Sequence, residues 1–157
     1  MWYIILDLIE SMFKRQAGVK YNDTEKVTLD LGTTRINGSY DIVINDAVDD
    51  IKSASDWSYR NKFESYDTLA SGDGFGYVGQ LAGYAKASGK KVGGWWVVNK
   101  ANGAFKYVPA TGLDLDVEIK KATDSIIQGQ RKVAGKIEYF DESIYQFNER
   151  KANAQRD

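Results

Sequence analysis

The chain has no cysteine and no histidine among its 157 residues. Without cysteine there is no disulfide framework, and the usage fits an intracellular setting. Without either residue, Ser-His, Cys-His and zinc chemistries of the usual kind are excluded. Strong charge of one sign is missing too. The formal net charge is -1, so no global basic field advertises nucleic acid. Any such partner would need a local basic patch. Long apolar runs are also scarce. The opening Met1-Trp2-Tyr3-Ile4-Ile5-Leu6 is interrupted by Asp7 and Glu10 and lacks a basic flank, which argues against a signal peptide or membrane span. What remains is ordinary for a globular protein, with 43% apolar and 27% charged residues. That length and composition predict one domain over 1–157 with a charged, frayed tail from about 150.

The patterning predicts an α/β chain. Ile5, Ile9, Met12 and Phe13 follow a helical period over 2–16, and Gly18 is a stop. Val27, Leu29 and Leu31 alternate with polar residues, as in a strand. Residues 34–44, with a bend at Gly38, and 47–53 read as two more strands. Residues 57–70 read as one helix ending near Gly72-Asp73-Gly74, and Gly76 to Ser88 as another, stopped by Gly89. Asn102-Gly103 is a turn signal that makes 92–99 and 104–109 a hairpin. Asp114 to Lys136 is a polar helix. One mixed central sheet flanked by helices accommodates this order.

Within it, Asp50-Ile51-Lys52 stands nine residues after Asp41. If Asn45-Asp46 is the hairpin loop, Ile44 faces Ala47, Val43 faces Val48, Ile42 faces Asp49, and Asp41 faces Asp50. The two acids then lie with Cβ atoms roughly 4.5–5.5 Å apart. Lys52 shares their face, being two residues beyond Asp50. Facing like charges destabilise a sheet, and a divalent metal is the simplest reason to keep them. Mg²⁺ needs only one or two carboxylates plus a substrate phosphate, and the Ile51 carbonyl is a further candidate ligand. An acid-x-Lys triplet alone means little, since Glu118-Ile119-Lys120 is a second one, read as a solvated helix face.

Gly38-Ser39-Tyr40-Asp41, Asp50-Ile51-Lys52-Ser53 and Gln80-Leu81-Ala82-Gly83-Tyr84 stand in the order of a known pattern. Over about residues 25–109 the chain resembles the PD-(D/E)xK nuclease superfamily, in its RecB-like branch with a Q-x-x-x-Y motif. The stretch from Asp73 to Tyr84 is similar to phage-encoded exonucleases of that branch. The resemblance implies a restriction-endonuclease-like core and Mg²⁺- or Mn²⁺-dependent cleavage of DNA. It implies Asp41 and Asp50 as metal ligands, Lys52 as the catalytic lysine, and Gln80 and Tyr84 facing the site from the next helix. Their i, i+4 spacing puts both on one helical face; without the other motifs they would read as a surface and a core residue. The family usually adds a first-helix acid, for which Glu10 is the candidate and Asp7 the second. Larger relatives carry extra N-terminal elements, sometimes with an iron–sulfur cluster held by cysteines, which a chain without cysteine cannot hold.

Arg15, Arg35, Arg60, Lys62, Lys90 and Lys91 are candidate phosphate contacts. Trp57, Tyr59, Phe63 and Tyr66, interleaved with Arg60 and Lys62, are candidates for stacking on unpaired bases; the bland alternative is an apolar stripe with solvated cations. Of the adjacent Trp95 and Trp96, at least one belongs to the core. The expected function is a DNA exonuclease of phage DNA degradation, replication or recombination, in the host cytoplasm, acting on linear DNA or free ends. A structure-selective endonuclease, an inactive nucleic-acid-binding module of the same fold and an interaction domain without DNA are the alternatives. No membrane partner is expected, and a homo-oligomer stays open.

Overall fold

The computed structural model describes residues 25–130, together with 21, 22 and isolated positions 4, 7, 8, 11, 12 and 15. Two compact units divide the chain, Met1–Ile119 and Lys120–Asp157. In the first unit the strands are β1 (Tyr21–Asn22), β2 (Glu25–Asp30), β3 (Arg35–Tyr40), β4 (Ile42–Ile44), β5 (Ala47–Ala54), β6 (Lys91–Asn99) and β7 (Phe105–Pro109). Between β5 and β6 come a π-helical turn (Ser58–Lys62), α1 (Tyr66–Ser71) and α2 (Tyr77–Ser88). Residues 115–119 are helical, as are residues 120–130 of the second unit. Positions 4, 7, 8, 11 and 12 are helical and exposed, and the remainder of the helix expected over 2–16, with Gly18, lies outside the described residues.

The architecture is α/β. A central mixed sheet runs in the order β1-β4-β5-β6-β7 and is flanked by helices. Among the described residues, β5 with β6 is the parallel pairing of this sheet and its other neighbours are antiparallel. A parallel pair needs a long crossover, and the π-helical turn, α1 and α2 supply it. This arrangement is compatible with a restriction-endonuclease-like core. Val48 and Val97 of the sheet pack with Leu69, Val78 and Leu81 of the helices, all of them buried. Trp95 is fully buried beneath Tyr66, with ring centroids 6.3 Å apart, while Trp96 is half-buried.

Three expectations differ in detail. β2 and β3 form a separate two-stranded sheet. The bend in 34–44 falls at Asp41, between β3 and β4, and Gly38 is a regular strand residue paired with Val27. That bend separates the hairpin from the central sheet. The helix expected over 57–70 is interrupted, because Ser65 is extended (φ -151°, ψ 171°) and its hydroxyl accepts from Thr68 N at 3.2 Å. A serine able to cap restarts the helix there.

Candidate functional site

The hairpin of β4 and β5 positions the acids. Asn45 and Asp46 both have positive φ (49° and 67°), as a two-residue type I′ turn requires. Ile44 pairs with Ala47, Val43 with Val48 and Ile42 with Asp49. The expected fourth pair, Asp41 with Asp50, does not form, because the chain bends at Asp41 and the ladder stops at Ile42. The Asp41 carboxylate turns inward instead, and its Oδ2 accepts from Ile51 N at 2.7 Å. A side chain therefore satisfies the amide that a continued strand would have served. Ile51 itself is fully buried in β5.

Asp50 is 3% exposed. Its buried Oδ2 lies 2.7 Å from Lys52 Nζ, in an ion pair. Burial pushes the Asp50 carboxyl up to about 7; the Lys52 charge opposes the shift and the Asp41 charge adds to it. Lys52 is fixed from a second side by α2, donating to Gln80 Oε1 at 2.9 Å. Gln80 Nε2 in turn donates to Tyr84 OH at 3.1 Å. Tyr84 is half-buried, and burial, then the Asp50 charge, raise its pKa. Asp41, Asp50, Lys52, Gln80 and Tyr84 thus form one connected group, drawn from the bend, β5 and α2.

Local sequence explains why α2 stands there. Both Asp73 carboxylate oxygens accept from its first amides, Tyr77 N and Val78 N, at 2.8 Å each. Gly89, with φ 68°, ends it in the left-handed conformation. Tyr84 lies on Gly38 of β3, where a Cβ would sit 2.8 Å from Tyr84 Cε1. The hairpin therefore backs the tyrosine that holds Gln80.

The other face of β5 carries an arrangement that the sequence reading missed. Asp49 is 3% exposed and accepts from Gly94 N (2.8 Å), Trp96 Nε1 (3.0 Å) and Tyr107 OH (3.0 Å). Burial raises its pKa, against these three hydrogen bonds. Adjacent strand residues point to opposite faces, so Asp49 and Asp50 are separated by the sheet. Asp49, satisfied on both oxygens, ties β5 to β6 and β7. The available signal was Gly93-Gly94 opposite an acidic strand, since a Cβ on Gly93 would collide with the Asp49 carboxylate.

Of the candidate DNA contacts, Lys62 adjoins the group. Its Nζ lies 4.9 Å from the Tyr77 ring centroid, and Lys52 Nζ lies 5.0 Å from the same ring. Trp57 is 69% exposed. Tyr59 lies under Lys106 Nζ, 4.4 Å from its ring centroid, and Arg60 pairs with Asp56 at 2.9 Å. Phe63 is buried in the core and Tyr66 stacks on Trp95. Arg35 stands at the opposite end of β3 from Asp41, paired with Asp30 at 3.1 Å. Lys90 pairs with Asp46 at 3.1 Å, and Arg15 and Lys91 are exposed. In the second triplet, Lys120 is exposed and pairs with Asp124 at 2.8 Å along its own helix.

The residues present fit a hard divalent ion with a small protein ligand set. Asp50 Oδ2 is a buried oxygen whose close neighbour is the Lys52 ammonium at 2.7 Å, and Asp41 couples to the same carboxylate electrostatically. Among the described residues no group of three or more Asp, Glu, His or Cys could hold a metal. Two carboxylates suit Mg²⁺, which keeps several waters. Glu10, the expected additional acid, lies outside the described residues; Asp7 is exposed on the first helix.

No family model and no curated protein matches the chain. The chain is similar to the crystal structure of SSO0001, with 17% identity and a TM-score of 0.46 over 81% of this chain and 59% of that one. This chain thus spans about three fifths of that protein. No described helix is long and apolar enough to cross a membrane.

Proposed function

We propose that this chain is a Mg²⁺- or Mn²⁺-dependent deoxyribonuclease, acting as an exonuclease on linear DNA. The observation that carries the reading is the juxtaposition of the buried Asp50 carboxylate with Asp41 and the Lys52 ammonium. Asp41 and Asp50 would hold the metal. When bound, the ion would polarise a phosphoryl oxygen and acidify a water.

The chain's own residues have separable tasks. Lys52, held between Asp50 and Gln80, presents its ammonium toward the phosphate to orient the attacking water and offset developing negative charge. Gln80 positions Lys52 through its Oε1 and is itself oriented by Tyr84. The bond from Ile51 N fixes Asp41 beside Asp50. Lys62, whose Nζ approaches the same Tyr77 ring as Lys52, is the described candidate for a backbone phosphate contact, whereas Arg60 and Arg35 would have to leave their carboxylate partners. A phage role in DNA degradation, replication or recombination is part of the same reading and rests on the sequence resemblance.

The test is incubation with linear and closed-circular DNA in Mg²⁺, Mn²⁺ or EDTA. The expected result is loss of linear DNA with either ion, none in EDTA, and intact circles. Nicked circles would favour the structure-selective endonuclease. DNA binding without cleavage in either ion would overturn the enzyme reading.

A further inference from the structure

Phe75 is 79% exposed, on the turn between α1 and α2. A single exposed aromatic is ordinary. Its surroundings are less so. The Phe75 ring stacks on Tyr77, with centroids 5.6 Å apart and planes 18° from parallel. Behind Tyr77 lies the buried Phe63, at 5.8 Å and 28°. Lys62 Nζ lies over both outer rings, 4.4 Å from the Phe75 centroid and 4.9 Å from that of Tyr77. Lys52 Nζ is 5.0 Å from Tyr77. An anchored stack therefore runs from the core past the lysine of the candidate site and ends in an open aromatic ring beside a cation.

We infer that Phe75 and Lys62 form a stacking platform for an unpaired nucleobase of the strand entering the site. The ring offers its face to a base and Lys62 meets the adjoining phosphate, a combination that tolerates any sequence. Bases inside a duplex already stack on both faces and cannot use it. The substrate class is then a single strand or a frayed or overhanging end. This rests on the nuclease reading for what happens next, but binding of the base does not.

The experiment uses the full chain with Phe75→Ala and Phe75→Trp. A single-stranded oligonucleotide carrying terminal 2-aminopurine is the probe, first without divalent ion for binding and then with Mg²⁺ for cleavage. Stacking should change the probe's fluorescence with the wild type and Phe75→Trp and not with Phe75→Ala. For cleavage, Phe75→Ala should raise KM about ten-fold or more while changing kcat less. Melting curves confirm folding, as expected for so exposed a side chain. A fluorescence change and KM that are indifferent to Phe75→Ala would overturn the platform. If the wild type cleaves nothing but the change persists and depends on Phe75, the nuclease reading fails and the platform stands.

Discussion

Asp50 places a carboxylate where burial opposes its charge. An unfolded aspartate titrates at ~3.9, whereas burial raises the folded group to about 7. Between those values the folded chain holds more proton at Asp50 than the unfolded chain does. Its contribution to stability is therefore present at low pH and lost as pH rises through about 7. In metal-free protein, Asp50→Asn should relieve this burden, raising Tm over wild type by on the order of several degrees at pH 8 and little at pH 4. Mg²⁺ should raise the wild-type Tm at pH 8 and leave that of the variant nearly unchanged. A variant that melts lower than wild type at pH 8 without metal would show that the Lys52 ion pair outweighs the cost of burial, contradicting the raised pKa. The triplet, and its place after a tight turn, were legible because Asn45-Asp46 tolerates the left-handed conformation between two apolar runs. The inward turn of Asp41 was not. A side chain substituting for a strand carbonyl leaves no mark in alternation.

At the scale of elements, the β2–β3 hairpin acts on the site through Tyr84. A Cβ at Gly38 would sit 2.8 Å from Tyr84 Cε1, so the ring must shift. That shift would disturb the 3.1 Å bond to Gln80 and then the hold on Lys52. Gly38→Ala should lower DNA cleavage about ten-fold by way of kcat, with a stability loss of only about 1 kcal/mol, since a side chain rather than backbone must yield. Tyr84→Phe, which removes the hydroxyl and keeps the ring, should lose activity comparably. Wild-type cleavage by Gly38→Ala would contradict the coupling. Elements bounded by strong punctuation were readable: α2 between Gly76 and Gly89, and β6–β7 around Asn102-Gly103. The stretch 57–70 was not, because its apolar residues keep a helical spacing while Ser65 caps a new helix in their midst. Asp49 was hidden for a related reason. Its partners Gly94 and Trp96 lie on β6, which pairs with β5, and Tyr107 on β7, which pairs with β6, all far along the chain from Asp49.

Across the whole first unit, the parallel pairing of β5 with β6 gives the site its form. It sends the chain through α1 and α2 before returning, which carries Gln80 and Tyr84 onto the lysine of β5 and leaves the Phe75–Lys62 stack beside it. The net charge of -1 remains compatible with a DNA partner because cationic groups are needed only locally. The central claim, that Asp50-Ile51-Lys52 is a metal-dependent cleavage site and not a structural ion pair, divides its residues by role. The most direct measurement compares wild type and Lys52→Ala for Mn²⁺ binding by calorimetry and for cleavage of linear DNA. The account predicts that Lys52→Ala binds Mn²⁺ nearly as wild type and cleaves at least about a hundred-fold more slowly. Cleavage at the wild-type rate by Lys52→Ala would contradict it.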